Sequence, residues 1–177
     1  MSVKKGRAMR EEVFVGLGSN LGNARENVLL ATKAVADLPD CELLRQSSLY
    51  ETSPQDYDDQ PWFVNCVLML AVPPSAPQAF LTQLLALERR LGRVRDGLPR
   101  FGPRRIDLDL LLFGQHTLTT PFCTLPHPRM LKRAFVLCPL AEIAPDCLIF
   151  GKRPDAYLAE LDWRREGKKI FQMSGPA

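Results

Sequence analysis

The apolar positions of this chain switch repeatedly between the strand and helix periods, and each switch marks an element. Glu12-Val-Phe-Val-Gly16 is a short apolar run that enters the glycine-rich stretch Gly18-Ser-Asn-Leu-Gly22, which reads as a tight strand-to-helix turn. Asn23, three residues before Glu26, has the spacing of a helix cap and opens an amphipathic helix to about Asp37, where Pro39-Asp40 stops it. A second strand is predicted from about Glu42 to Glu51, a polar loop from Thr52 to Pro61, and a third strand from Trp62 to Val72, antiparallel to the second. After Pro73-Pro74, leucines at 81, 84, 85, 87 and 91 fall on a helical period from Pro77, and Gly92 closes that helix. An arginine-rich loop then leads into an apolar strand at Asp107, with Phe113-Gly-Gln-His-Thr-Leu118 as a hairpin into a short further strand.

The order β-α-β-β-α-β is that of the split βαβ, so the expected fold class is α+β: a ferredoxin-like core with an antiparallel sheet packed on helices. Helical additions follow at the C-terminal side. Pro128 to Glu142 supplies helical pieces predicted to break at Pro139 and Pro145, and Pro154 to Leu161 a short helix.

At 177 residues and 46% hydrophobic, the chain is long enough for one good core and short for two. A single domain is expected over 11–161, after a flexible basic arm (1–10) in which Met9 is an alternative start, and before a tail (162–177) whose order the pattern leaves open. A net charge of only +3 argues against a nucleic-acid scaffold. The longest apolar stretch, Phe63 to Val72, is too short to span a bilayer, and there is no signal-peptide pattern, so no membrane partner is expected. Five cysteines, an odd number with no CxxC pair, suit a reduced cytoplasmic protein. A monomer is expected, with a weak dimer as the alternative.

The charge is local. Between Glu88 and Arg105 there are seven arginines against two acids, Glu88 and Asp96, a composition suited to bidentate phosphate recognition. Directly after it, Asp107 and Asp109 interrupt the apolar run Ile106 to Phe113. On a strand, residues two apart share a face, so both carboxylates can serve one site for a hard cation such as Mg²⁺, or straddle two metals. The structural alternative is an ion-pair cluster with Arg104 and Arg105. Gly16-x-Gly18-x-x-x-Gly22 misses the dinucleotide-binding spacing by one residue, and there is no P-loop. With only His116 and His127, and no cysteine nearby in ligand spacing, zinc is not expected.

Several motifs occur together from about Val13 to Pro145: Gly18-Ser-Asn20-Leu-Gly22; Tyr50-Glu-Thr52-Ser-Pro54 with Gln60-Pro61 and Phe63-Val-Asn65; Gly92-Arg-Val-Arg95; Gly102-Pro-Arg104-Arg-Ile-Asp107-Leu-Asp109; and Pro126-His127-Pro-Arg-Met-x-x-Arg133-Ala-Phe135. By that combination the chain resembles the folate-pathway 6-hydroxymethyl-7,8-dihydropterin pyrophosphokinases. The resemblance implies transfer of the β,γ-pyrophosphoryl group of ATP to the hydroxymethyl group of a reduced pterin, with AMP and the pterin diphosphate as products. It implies two Mg²⁺ on Asp107 and Asp109, and Arg93 and Arg104 closing over the phosphates. Arg95, Thr124, His127 and Arg133 would contact ATP, with Glu88 and Leu110 near its base or ribose. The pterin would lie between Phe63 and Phe135, its edge read by Asn65 and by Thr52, Ser53 and Pro54, with Phe101 where many relatives carry tryptophan. Departures from the pattern are Phe101, a loop from Arg95 to Phe101 one residue longer, Leu85 in place of a glutamine and Phe122 in place of a basic residue.

Two other readings share these features. An RNA-binding module has the same element order, but its aromatic signature is absent and its base-stacking face would carry two aspartates. A non-catalytic relative that binds nucleotide or pterin would not be expected to keep every residue with an assigned chemical role.

Overall fold

A computed structural model of the chain describes residues 9–55, 58–93, 102–163 and 168–173. Arg95, Phe101 and most of the N-terminal arm lie outside the described residues. Arg10, placed by sequence in that arm, donates hydrogen bonds to the carbonyls of Asp40 and Ala71.

Strand β1 (Glu11–Ser19) lies inside an antiparallel sheet and is buried on both faces, because its alternate residues meet two different cores. It pairs with β4 (Phe63–Val72) on one side and with β5 (Asp107–Phe113) on the other. Beyond β4 lie β2 (Glu42–Gln46) and β3 (Tyr50–Thr52), and β8 (Ile170–Gln172) is added to β3. The order is compatible with the expected ferredoxin-like arrangement.

Val13, Val15 and Leu17 face helices α1 (Ala24–Ala36) and α2 (Pro77–Arg90), whose Val28, Ala31, Val35, Leu84 and Leu87 are buried against them. On the other face, Phe14, Val67, Leu111 and Leu112 pack against a 3₁₀ turn (Met130–Lys132) and α3 (Ala134–Ile143), with α4 (Pro154–Glu160) outside α3. A register shift opposite Phe14 and Val15 leaves Leu111 without a partner on β1 and puts both Leu111 and Leu112 into this second core, while Phe113 returns to the first. Among the described residues no helix is long and apolar enough to cross a membrane.

The caps follow the sequence. Asn23 Oδ1 accepts the Glu26 N–H at 3.2 Å, and Gly92, at φ +87, turns the chain away from α2.

Three expectations change. The predicted strand from Glu42 to Glu51 is interrupted between Gln46 and Tyr50, because Ser47 takes over two positions of the ladder. Its Oγ accepts the Val67 N–H at 3.0 Å and its own N–H donates to the Val67 carbonyl. Glu142 at the end of α3 fastens the kink by accepting from Ser48 N–H, Ser48 Oγ and Tyr50 Oη. Secondly, α3 does not break at Pro139. A helical proline costs about 3 kcal/mol, and here burial of Val136, Leu137, Leu140 and Ile143 against the sheet offsets it. Thirdly, the strand after Phe113 does not fold back on β5. β6 (Leu118–Thr119) pairs with β7 (Thr124–Leu125) as a separate ribbon, while the Gly114 N–H continues the ladder between β5 and β1 by donating to the Glu12 carbonyl at 2.8 Å.

The burial map gives a direct test in urea unfolding. Leu68→Ala, in the fully buried β4 core, should lose about 2–5 kcal/mol of stability. Leu30→Ala, half exposed on α1, should change it by less than about 0.5 kcal/mol.

Candidate active site

The register of three strands builds the floor of the site. Gly18 lies between Asp107 on β5 and Asn65 on β4, and Gly16 between Asp109 and Val67. A Cβ on Gly18 would stand 2.7 Å from Asn65 Oδ1, so the close approach requires glycine there. β1 continues to Ser19, and of these three glycines only Gly22, at φ +63, belongs to the predicted turn. Gly16 and Gly18 are instead a stretch of bare backbone from which Asn65, Asp107 and Asp109 rise on either side.

Each carboxylate is met by cations from different elements. Arg104 Nη1 lies 3.1 Å from Asp107 Oδ2, and Arg93 contacts both Asp107 and Glu88. Arg133, at the start of α3, places Nη1 3.2 Å from Asp109 Oδ2. Burial would raise the Asp107 pKa, but Arg104 and Arg93 outweigh it and hold the carboxyl below its usual range. Asp109 goes the other way: burial and the neighbouring Asp107 push it up to about 6, and Arg133 only partly compensates. His127 is driven down to about 4 by burial and by Arg133 and Arg129, so it is a neutral imidazole at neutral pH. Its Nδ1 accepts the Arg129 N–H at 3.3 Å, which leaves the proton on Nε2, 3.9 Å from Asp109 Oδ1.

Two clefts open from this point. One is floored by Gly16 and Gly18 and walled by Phe63, Asn65 and Phe135, with Thr52 and Ser53 at its rim. The other runs between the end of α2 and the β6–β7 ribbon, past Glu88, Arg93, Leu110, Thr124 and His127. Arg104, Asp107 and Asp109 line both. The aromatic faces in the first cleft are capped by guanidiniums: Arg104 Cζ is 5.2 Å from the Phe63 ring centroid and Arg133 Cζ is 5.3 Å from that of Phe135.

Most residues singled out from the sequence therefore converge, with some changes of place. Arg133, expected on the nucleotide, lines the first cleft. Glu88, expected near base or ribose, is only 2% exposed and is committed to Arg93 and to the Leu108 N–H, which it accepts at 2.7 Å, so it ties α2 to the carboxylate strand. Pro54 is buried, and its carbonyl accepts from Lys168 rather than facing the cleft. Asn65 finds its partner in Thr52, donating from Nδ2 to Oγ1 at 2.7 Å. Leu85 and Phe122 both border the second cleft.

Sequence reasoning gave Asn20 no role, yet it organises the junction. Its Oδ1 accepts the Arg104 N–H at 2.8 Å, its N–H donates to the Arg104 carbonyl, and its Nδ2 donates to Gln60 Oε1 and the Pro61 carbonyl, both at 3.0 Å. The available signal was a carboxamide at the end of an apolar strand, which needs partners when buried.

Among the described residues no group of three or more His, Cys, Asp or Glu side chains is arranged to hold a metal ion. The pair Asp107 and Asp109 is short of a zinc set, but suits a hard divalent cation that completes its shell with water and phosphate oxygens. The raised Asp109 pKa is the mark of a carboxylate pair with one positive charge too few.

The family model for 7,8-dihydro-6-hydroxymethylpterin-pyrophosphokinase matches residues 14–145. The 2-amino-4-hydroxy-6-hydroxymethyldihydropteridine pyrophosphokinase of Pseudomonas aeruginosa is 47% identical over 138 residues, covering 78% of this chain and 83% of the relative. The enzyme of the same name from Methylorubrum extorquens is 38% identical over 149 residues, covering 84% and 92%. A crystal structure of a Plasmodium falciparum HPPK-DHPS triple mutant superposes with a TM-score of 0.69 at 12% identity, over 88% of this chain and 44% of that one, a likeness of fold. With relatives of this identity matched over most of their length, and a family model that covers the strands bearing the carboxylate pair and most of the residues lining both clefts, the chain belongs to the 7,8-dihydro-6-hydroxymethylpterin-pyrophosphokinase family.

Proposed function

We propose that the chain performs its family's reaction with ATP in the cleft between α2 and the β6–β7 ribbon and the reduced pterin in the cleft floored by Gly16 and Gly18. The reaction moves the pyrophosphoryl group of ATP to 6-hydroxymethyl-7,8-dihydropterin in folate synthesis, leaving AMP. The observation that carries the placement is the shared wall: Arg104, Asp107 and Asp109 border both clefts, so a phosphate chain in one and a hydroxymethyl group in the other meet at the same three side chains.

The demands of the two substrates differ, and so do the clefts. A flat heterocycle with an amide edge is served by the faces of Phe63 and Phe135 and by the Asn65 carboxamide held on Thr52. A polyphosphate is served by Arg93 and Arg104, with Thr124 and the neutral His127 as donors. Asp107 and Asp109 would hold Mg²⁺, in two ions, which when bound neutralises phosphate charge and polarises the transferring group. The guanidiniums capping Phe63 and Phe135 are held by Asp107 and Asp109; phosphate oxygens compete for them, and the aromatic faces come free as they leave. Arg95 and Phe101 are taken as an ATP contact and a pterin-side aromatic. The five free cysteines support a reducing, cytoplasmic setting. α3 lies on the sheet face that an RNA-binding module would leave open, which argues against that reading.

A coupled assay for AMP release from MgATP, with and without the hydroxymethyl-dihydropterin, tests the proposal. Strict dependence on the pterin is expected, and release without it would replace a pyrophosphokinase with an ATPase.

Asp107→Ala and Asp109→Ala should each lower kcat by at least about 10³-fold, roughly 4 kcal/mol of transition-state stabilisation. Retention of a rate within about tenfold of wild type would remove the metal assignment. Asp109→Asn should meanwhile stabilise the metal-free protein. The folded pKa of Asp109 lies above its unfolded value, so its contribution is complete below the unfolded value and is lost as pH rises through about 6. The gap in stability between Asp109→Asn and wild type should therefore open between about pH 4 and 7, reaching on the order of 2 kcal/mol. A gap independent of pH in thermal melts would contradict this.

Arg104→Ala should lower kcat on the order of 10³-fold with little change in nucleotide affinity, the pattern of a group that meets developing charge. A loss confined to nucleotide affinity would reverse its role. Calorimetry checks the competition for the guanidiniums: the pterin should bind at least about tenfold more tightly when a non-hydrolysable ATP analogue is present, and equal affinities would exclude the coupling.

A further inference from the structure

Residues 168–172 lie beyond the stretch matched by the family, which ends at 145, and they pack on the loop that borders the proposed pterin cleft. β8 pairs with β3, Ile170 opposite Thr52 and Phe171 opposite Glu51. The Ser53 N–H donates to the Lys169 carbonyl, and the Lys169 N–H to Ser53 Oγ, both at 2.9 Å. The Phe171 ring stacks on Trp62, the residue before Phe63, with centroids 6.0 Å apart and planes 4° from parallel.

Lys168 is the centre of this arrangement. Its side chain is only 18% exposed, and its ammonium donates to the Pro54 carbonyl at 2.9 Å and pairs with Asp58 Oδ1 at 2.7 Å. A lysine kept for solubility extends into water; one turned inward gives up rotamer freedom that fixed partners must offset. Here the partners stand four residues apart on one loop, so a single ammonium joins its two arms. Asn20 holds the far end of the same loop at Gln60 and Pro61. Any shift of Thr52 is passed to Asn65, because the Asn65 carboxamide donates to Thr52 Oγ1.

We propose that Lys168 is a positioning residue for pterin recognition: by tying Pro54 to Asp58 it fixes Thr52 and Ser53 at the rim of the cleft and holds Asn65 in the orientation that reads the pterin edge. The proposal rests on the placement of the pterin between Phe63 and Phe135. Lys168 lines neither substrate cleft and acts only through the loop.

The test is calorimetric titration of 6-hydroxymethyl-7,8-dihydropterin into protein saturated with a non-hydrolysable ATP analogue, alongside titration of the analogue itself. Lys168→Met should weaken the pterin about tenfold and leave the analogue's Kd within about twofold of wild type. Lys168→Arg, which keeps the charge and the donors, should recover most of the loss. If Lys168→Met leaves pterin affinity unchanged while Phe63→Ala destroys it, the strap is refuted and the cleft assignment stands. If neither variant affects pterin binding, the cleft assignment fails and takes the strap with it. Equal losses for pterin and nucleotide would show general loosening and refute a positioning role. Should Lys168→Met not fold, Asp58→Asn breaks the same link from an exposed side chain; a loss limited to the pterin supports the proposal, and no loss overturns it.

Discussion

Two carboxylates side by side on one sheet face, beneath a layer of helix, are the constraint around which this molecule is arranged. Asp107 and Asp109 are held by Arg93 from beyond α2, Arg104 from the turn before β5, and Arg133 from the start of α3. Because those three cations come from three parts of the chain, satisfying the pair also fixes where α2 and α3 sit relative to the sheet. Glu88 adds a second anchor by joining Arg93 to the Leu108 N–H. The neutralisation is incomplete at Asp109. Repulsion that folding does not remove is available to favour a ligand that brings positive charge, which is the electrostatic preorganisation that catalysis by charge stabilisation requires.

The junction is rigid where it must be and exchangeable elsewhere. Asn20 holds the backbone of Arg104 through both its N–H and its carbonyl, so the base of that residue cannot drift. Its guanidinium has a buried Nε without a hydrogen-bond partner among the described residues and rests between Asp107 and the Phe63 ring. A side chain with a fixed root and an only partly satisfied head is ready to change partners. Arg133 has the same dual placement over Phe135 and beside Asp109, so the aromatic and anionic parts of the site share their cations.

What the sequence made legible was whatever depends on period and on charge. The short apolar runs of β1, β4 and β5, the leucine period of α2 and the caps at Asn23 and Gly92 all follow from local pattern. The placement of Asp107 and Asp109 on one face follows from the strand period alone. What remained hidden depends on tertiary partners. Ser47 looks like any strand serine until Val67 is beside it. Pro139 reads as a break unless the burial of its neighbours is known. Gly16 and Gly18 look like turn glycines because the pattern cannot show that Asn65 crowds one of them from the next strand. Glu88 reads only as a substrate contact, because the pattern cannot show that its carboxylate also engages Arg93 and the Leu108 N–H. β8, three residues long, has too little sequence to announce a strand and is recognised only through β3.

The bare backbone under the cleft has a consequence for how this protein can vary. A competitor that fills the cleft down to Gly18 presses on atoms common to every amino acid. A side chain added there would strike Asn65 Oδ1 and disturb the carboxamide proposed to read the pterin edge. Escape from such an inhibitor is therefore obstructed at Gly18, whereas Ser53 and Gln55 at the rim project from the loop rather than the sheet. Inhibitors that draw their contacts from the backbone at Gly18 would face a narrower route to resistance than those that rest on the rim.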